Sequence, residues 1–471
     1  MSENSNFEYA VVLAAGKGTR FYSSVPKVLH SLCGRTLLER SIRAVIPFVK
    51  SKIIIVSGFG YDLVQEEIRK IETNVTADCP QICIVKQEEQ KGTGHAATVA
   101  LEEVKEVNSR VLIIPGDCPL IDESVIANSI ADMAKNAFSI LSFEAKDPFG
   151  FGRIIRSSSG TLLRIVEHRD CTDQEKMVTE VNSGIVFSNS EILEKYLPRL
   201  SPANNQGEYY LTDIPQLLVN DGVSVGVVKA KDPILVQGAN TRSQLSELES
   251  FRRKKIIEKH MNAGVTFENP INSYVDEDVN LENDIYIGAG TRLYGKTSIK
   301  RGVIIEGNSL IKDSLIGEGS VVRFSCYLDN CLVSSSVQIG PFAHIRPNSS
   351  LSENVKIGNF VETKAARLSS GVKANHLSYL GDVEVGSNTN IGAGTIVCNY
   401  DGTKKSKTVI GKNSFVGSNS TLIAPVEIMS DAYVAAGSVI SKTVPSKALG
   451  IGRARQQNYE GWMDKKRTKK S

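Results

Sequence analysis

The chain has 471 residues, of which 41% are hydrophobic and 23% charged, and its formal net charge is +3. That length exceeds one ordinary core and implies two or three domains, and the composition is that of a globular chain, not a disordered one. So small a charge gives no reason to expect nucleic acid as the main partner, and the basic run Lys465–Lys470 reads as a solvated tail.

The polar start Met1–Asn6 runs directly into an apolar strand, which predicts no signal peptide. No apolar stretch approaches the roughly 20 residues of a membrane-spanning helix, so no membrane insertion is expected. The eight cysteines are scattered. Their closest spacings, Cys79 to Cys83 and Cys326 to Cys331, lack a second matching pair, which argues against a zinc site or disulfide framework and for a reducing cytoplasm.

Tyr9–Ala14 predicts a buried strand. Leu38, Ile42, Val45 and Ile46 recur at helical spacing, and Ile53–Val56 is strand again. Ile82–Val85 and Val111–Ile114 are further strands, with a helix from His95 to Val104 between them. Such alternation implies an α/β domain, a Rossmann-like, mostly parallel sheet covered by helices on both faces. Gln244, Leu245, Leu248, Phe251, Ile256 and Ile257 then mark a charged amphipathic helix, whose Arg252–Lys255 run is its solvated face. The expected domains are 1–241, a linker helix 242–262, and 263–471.

Beyond about residue 264 the period changes. Ile339, Ile345, Leu351 and Ile357 stand six apart, as do Ile410, Val416, Leu422, Ile428, Val434 and Ile440, and several of these isoleucines precede glycine. A step of six fits a short strand, a tight turn and one inward aliphatic per unit, three units closing one coil. The prediction is a hexapeptide β-helix. Asn375–Asp382 is expected to interrupt its apolar step with polar groups.

The first strand leads into Leu13-Ala14-Ala15-Gly16-Lys17-Gly18-Thr19-Arg20. Small residues there let backbone N–H groups approach a phosphate, and an open α/β sheet binds ligands at the carboxyl ends of its strands. The segment lacks the third glycine of a dinucleotide fingerprint and the Gly-Lys-Ser/Thr of a P-loop. Lys27 follows, and Asp117 ends the strand that begins at Val111, a place where Mg²⁺ bridges protein and triphosphate.

Leu13–Arg20 with Pro26-Lys27 resembles the sugar-phosphate nucleotidyltransferases. Further segments are similar to the bifunctional N-acetylglucosamine-1-phosphate uridylyltransferases/glucosamine-1-phosphate acetyltransferases. These are Gln87 with Gly92–Ala96, Phe149–Arg153, Ile165–Glu167, Val181–Gly184 and Val236–Asn240, within a likeness running from about Ala10 to Trp462. The resemblance implies that Leu13, Ala14, Ala15, Gly16, Gln87, Gly92 and Thr93 hold the uridine nucleotide. It gives Gly152, Glu167 and Asn182 to the amino sugar, Asp117 and Asn240 to one or two Mg²⁺, and Arg20 and Lys27 to the phosphates. Pro115 departs from the family's usual aromatic, which bears on the strand end. His95 and His168 read as structural, because a phosphate monoester attacks at neutral pH without a base.

In the second half, acetyl transfer to an amine needs a base, and a neutral His376 suits it, with Glu362 expected to orient the ring. Arg346 and Lys364, 18 residues apart, are expected on one face of neighbouring coils, as cations for a sugar phosphate. The same family resemblance gives Arg346, Lys364, Tyr379 and Asn390 to glucosamine 1-phosphate. It gives Ala393, Asn399, Tyr400, Ser418, Ala436 and Arg453 to acetyl-CoA, and it implies a left-handed coil and a homotrimer. Ala365 departs from a commonly polar position, and Asp401–Thr408 is expected to leave the coil as a loop. The implied reactions are acetylation of glucosamine 1-phosphate, then uridylyl transfer from UTP to N-acetylglucosamine 1-phosphate. The rivals are a nucleotidyltransferase for another sugar or base with a structural β-helix, and a non-catalytic regulatory subunit.

Overall fold

A computed structural model describes residues 7–75, 79–133 and 135–467; Met1–Asn6 and the end of the basic run, Thr468–Lys470, lie outside it. Its contacts divide the chain into two units, between Arg252 and Arg253.

In the first unit the sheet order is Gly226–Lys229, Phe138–Glu144, Glu180–Asn189, Arg110–Pro115, Phe7–Ala14, Val49–Ser57, Gln81–Lys86. The pairs around Phe7–Ala14 are parallel, whereas Glu180–Asn189 runs antiparallel to both neighbours. The sheet is therefore mixed and mostly parallel. Its central strands are apolar on both sides because both sides are covered. Ala10, Val12, Ile53, Ile55, Leu112 and Ile114 pack in one core with Leu38, Ile42, Val64 and Ile68 of helices Leu37–Val45 and Tyr61–Asn74. The alternate residues Tyr9, Val11, Ile54, Val56, Val111 and Ile113 pack in the other with Ala96, Ala97 and Ala100 of helix Thr93–Leu101. Pro115 leaves the strand end regular: it pairs with Leu13, and the next N–H, from Gly116, donates to the Leu13 carbonyl at 2.9 Å.

The helix Arg242–Asn262 spans the division. Arg242 Nε donates to the Phe21 carbonyl at 3.0 Å, whereas Arg253 lies 4.4 Å from the Tyr274 ring.

The second unit is a three-sided parallel β-helix. Side one carries inward Ile287, Ile305, Val322, Ile339, Ile357, Ala374 and Ile391; side two Leu293, Ile311, Leu328, Ile345, Thr363, Leu380 and Val397; side three Ile299, Ile316, Val333, Leu351, Leu368 and Val385. Ile287, Leu293 and Ile299 are each wholly buried, a column in which each aliphatic contributes about 1.5–3 kcal/mol.

Two expectations are refined here. Steps of five occur only between sides two and three, at Ile311 to Ile316, Leu328 to Val333, Thr363 to Leu368 and Leu380 to Val385. This explains why the phase shifts between runs. Asn375–Asp382 does not interrupt the column, since Ala374 and Leu380 stay six apart and wholly buried. His376 and Asp382 sit at the two ends of side two and Tyr379 faces outward from it instead. Between Val397 and Ile410 the chain leaves the coil, as expected, with Tyr400 bridged to Lys405. Ala365 holds a left-handed corner (φ 46°) matching that of Asp382 (φ 47°) one coil on.

Candidate active sites

In the first unit the strand ends open on a cavity of about 490 Å³, lined by Leu13–Gly16, Lys27, Gln87, Gly92, Thr93, Asp117, Glu167 and Asn182. Nearly the whole expected set is thus gathered at the carboxyl edge of the sheet. Lys27 Nζ lies against Asp117 Oδ2 and 3.5 Å from Asn240 Oδ1, and Arg20 Nη2 donates to Asn240 Oδ1 at 3.0 Å. Asn240 is held in turn by its own N–H, which donates to Gln244 Oε1 at 2.9 Å, and by Ala239 N–H donating to the Asp117 carbonyl at 3.0 Å. Two hard oxygen donors, one charged, therefore meet two cations. That donor set fits Mg²⁺, which takes few protein ligands and keeps its remaining positions for water and phosphate. Gly18 is needed for the loop: it is left-handed (φ 59°), and a Cβ there would stand 2.8 Å from Lys27 Cβ.

Gln87 is buried, and its Nε2 contacts the Gly92 carbonyl at 3.1 Å and His95 Nδ1 at 2.9 Å. His95 thus steadies Gln87, in keeping with its structural reading. His168 contacts Arg153 Nη2 at 3.3 Å and meets the Phe149 ring edge-on; burial and the Arg153 charge lower its pKa. Gly152 accepts the Asn182 N–H at 2.8 Å, and a Cβ on it would stand 3.3 Å from Glu167 Oε1. Burial raises the Glu167 pKa, partly offset by the Thr212 hydroxyl that donates to Oε1 at 2.9 Å.

Thr212 was not foreseen. The turn Leu211–Asp213 joins both halves of the cleft, since Leu211 N–H donates to Thr93 Oγ1 at 3.0 Å. A three-residue turn carries no hydrophobic period, so nothing in its spacing marks it. Beside it, burial and then the Asp170 charge push Asp213 up to about 6. A carboxyl raised in the folded state adds stability below its unfolded pKa of 3.8 and loses it as the pH rises through 6. Asp213→Asn should abolish that loss. Its thermal midpoint minus that of the native chain should grow between pH 4 and pH 7, and a difference that stays flat would remove Asp213 from this role.

In the second unit Arg346 and Lys364 occupy equivalent outward positions on side two, as expected from their spacing. Arg346 Nη1 donates to Glu362 Oε1 at 2.8 Å, and Lys364 Nζ to both Asp382 oxygens at 2.9 and 3.0 Å. The reading of Glu362 as the carboxylate that orients His376 is corrected here. Glu362 is committed to Arg346, and His376 Nδ1 instead contacts Asn359 Oδ1 at 2.9 Å. The reason is register: Glu362 stands beside Tyr379 on side two, whereas Asn359 stands beside His376 at the corner.

That corner is continuous. Asn359, His376, Ala393, Ser418 and Ala436 each follow the inward residue of side one by two places, and Leu377, Gly394, Asn419 and Gly437 N–H groups join successive coils. Arg453 continues the edge, its Cδ 4.0 Å from where a Gly437 Cβ would stand. Asn390 projects from side one, while Asn399 lies at the opposite edge of side two, donating to Asp382 Oδ2 at 2.5 Å. Asp382 was also not foreseen; it ties Lys364 to Asn399. Tyr400 is exposed, and the loop's Lys407 pairs with Glu384 at 2.5 Å. The expected residues thus lie on sides one and two and at the two edges of side two.

An open mixed sheet whose strand ends open on a cleft lined by Leu13–Gly16, Lys27 and Asp117 has the architecture of a nucleotide-binding domain, and a hexapeptide coil follows it in the chain. Residues 10–258 match the MobA-like NTP transferase domain, and residues 407–442 the bacterial transferase hexapeptide (six repeats). The chain is 43% identical over 466 residues to the bifunctional protein GlmU of Clostridium novyi (strain NT), covering 98% of this chain and 100% of that one. It is 41% identical to the bifunctional protein GlmU of Pseudomonas entomophila (strain L48), covering 98% and 99%. Among solved structures, a UDP-glucose pyrophosphorylase complexed with UDP-glucose matches 53% of this chain and 99% of that one, at 16% identity and a TM-score of 0.43. The chain belongs to the GlmU family of bifunctional proteins. It is a uridylyltransferase and acetyltransferase of UDP-N-acetylglucosamine synthesis. Among the described residues no helix is long and apolar enough to cross a membrane.

Proposed function

We propose that 263–471 acetylates glucosamine 1-phosphate from acetyl-CoA, and that 1–241 then transfers uridylyl from UTP to the N-acetylglucosamine 1-phosphate formed, with 242–262 as linker. The observation that carries the first domain is the convergence of Lys27, Asp117, Arg20 and Asn240 at the mouth of the cleft. Backbone N–H groups of Leu13–Gly16 hold the triphosphate, and Gln87, Gly92 and Thr93 the uridine. Gly152, Glu167 and Asn182 orient the sugar so that its 1-phosphate oxygen meets the α-phosphorus in line; the new P–O bond forms as pyrophosphate leaves. Asp117 and Asn240 would hold Mg²⁺, which supplies charge neutralisation on the phosphates when bound. Arg20 and Lys27 add to that neutralisation, and positioning with charge is what such reactions require.

In the second domain His376 serves as general base. Arg346, Lys364, Tyr379 and Asn390 take the sugar phosphate, and Ala393, Asn399, Tyr400, Ser418, Ala436 and Arg453 take acetyl-CoA. A homotrimer completes this site. Supporting that reading, the residues lie on separate edges, and Phe324, Phe342, Phe360 and Leu377 form an exposed apolar ridge beside the His376 corner. The chain works in the cytoplasm.

Fragments separated within 242–262 test the scheme. The C-terminal piece should convert glucosamine 1-phosphate with acetyl-CoA, as a trimer. The N-terminal piece should release pyrophosphate from UTP only with N-acetylglucosamine 1-phosphate and Mg²⁺. Acetyl transfer by the N-terminal piece would overturn the assignment.

A further inference from the structure

We infer that Asn359 is the positioning residue of the acetyl-transfer base, an inference that rests on the reading of His376 as that base. Most strands of the coil are two or three residues long, but Lys356–Asn359 and Lys373–His376 each run four, carrying their register out to the corner as the pair Asn359 and His376. The approach is close: a Cβ on Gly358 would stand 1.8 Å from the Asn375 carbonyl oxygen, so only glycine admits it. Leu377 N–H donates to the Asn359 carbonyl at 3.1 Å, which locks the two coils at this point.

The side-chain contact then assigns the ring. A carboxamide oxygen only accepts, so the 2.9 Å contact from Asn359 Oδ1 places the imidazole proton on Nδ1 and leaves the Nε2 lone pair for the substrate. Nε2 takes a proton from the glucosamine ammonium, and the amine forms its bond to the acetyl carbon as the carbon–sulfur bond breaks. The imidazolium returns that proton to the departing CoA thiolate, and the second nitrogen-borne proton leaves to solvent. Among the charged groups nearby, Arg323, which pairs with Glu306 at 3.4 Å, and Lys356 line the same recess as His376, and Lys373 precedes it on its strand. Glu362, facing side two, is held by Arg346. Asn359 orients the ring without adding a charge beside it, whereas a carboxylate at that position would favour the imidazolium.

Full-length Asn359→Ala, Asn359→Asp and His376→Ala variants decide the matter. Asn359→Ala should lower kcat for acetyl transfer about ten- to a hundredfold, with KM for both substrates and uridylyl transfer little changed. Asn359→Asp should recover rate at high pH, with the acid limb of kcat/KM moved up by about one pH unit or more. An Asn359→Ala enzyme of native kcat beside an inactive His376→Ala enzyme would overturn the positioning role and leave the base standing. An unshifted limb in Asn359→Asp would also overturn it. An active His376→Ala enzyme would instead remove the base itself.

Discussion

Asp117→Ala should lower uridylyl transfer about a hundred- to a thousandfold and leave acetyl transfer near its native rate. Asp117 is the carboxylate of the cluster, and Lys27 lies against it. Its loss removes the carboxylate of the cluster and, among the described residues, leaves Lys27 with the 3.5 Å contact to Asn240. The loss should therefore fall on the step that develops charge on the phosphates. Pyrophosphate release and CoA thiol release, followed on the same preparation, separate the two activities. Equal losses in both would defeat the assignment of two independent sites.

His376→Ala should do the reverse. Removal of a general base costs about a hundred- to ten-thousandfold, and here it should fall on thiol release alone, with pyrophosphate release unchanged. The side chain is exposed at the corner, where its Nδ1 lies 2.9 Å from the Asn359 carboxamide oxygen. Its removal leaves the inward column of Ala374 and Leu380 intact, so a loss of coil stability would not explain the result. Retained acetyl transfer would take His376 out of its role.

Much of the architecture was legible because it is periodic. Unbroken apolar strands such as Ile53–Val56 announce a sheet covered on both faces, and the step of six announces a coil. Both are properties of spacing along one dimension, and each repeats often enough to survive local exceptions. The same reasoning put Arg346 and Lys364 on one side, since 18 residues make a full turn there. It does not hold at Asn375–Asp382, whose polar residues leave the column of Ala374 and Leu380 unbroken.

The residues that orient others were not legible. Thr212 on Glu167, Asp382 on Lys364 and Asn399, and Asn359 on His376 join positions 45, 18 or 17, and 17 residues apart. For the coil the separation depends on whether a corner takes five residues or six, and a slip of one turns a side chain to another side. Glu362 shows the consequence. A carboxylate suits the orienting role by its chemistry, but the register sets Glu362 beside Tyr379 and pairs it with Arg346. The sequence by itself determined the two fold classes and their order along the chain, because buried apolar spacing and a step of six are local patterns. Only the tertiary structure decided which side chain holds which, because hydrogen bonds form over about 3 Å and their geometry is set by coils and strands that meet far apart in the chain.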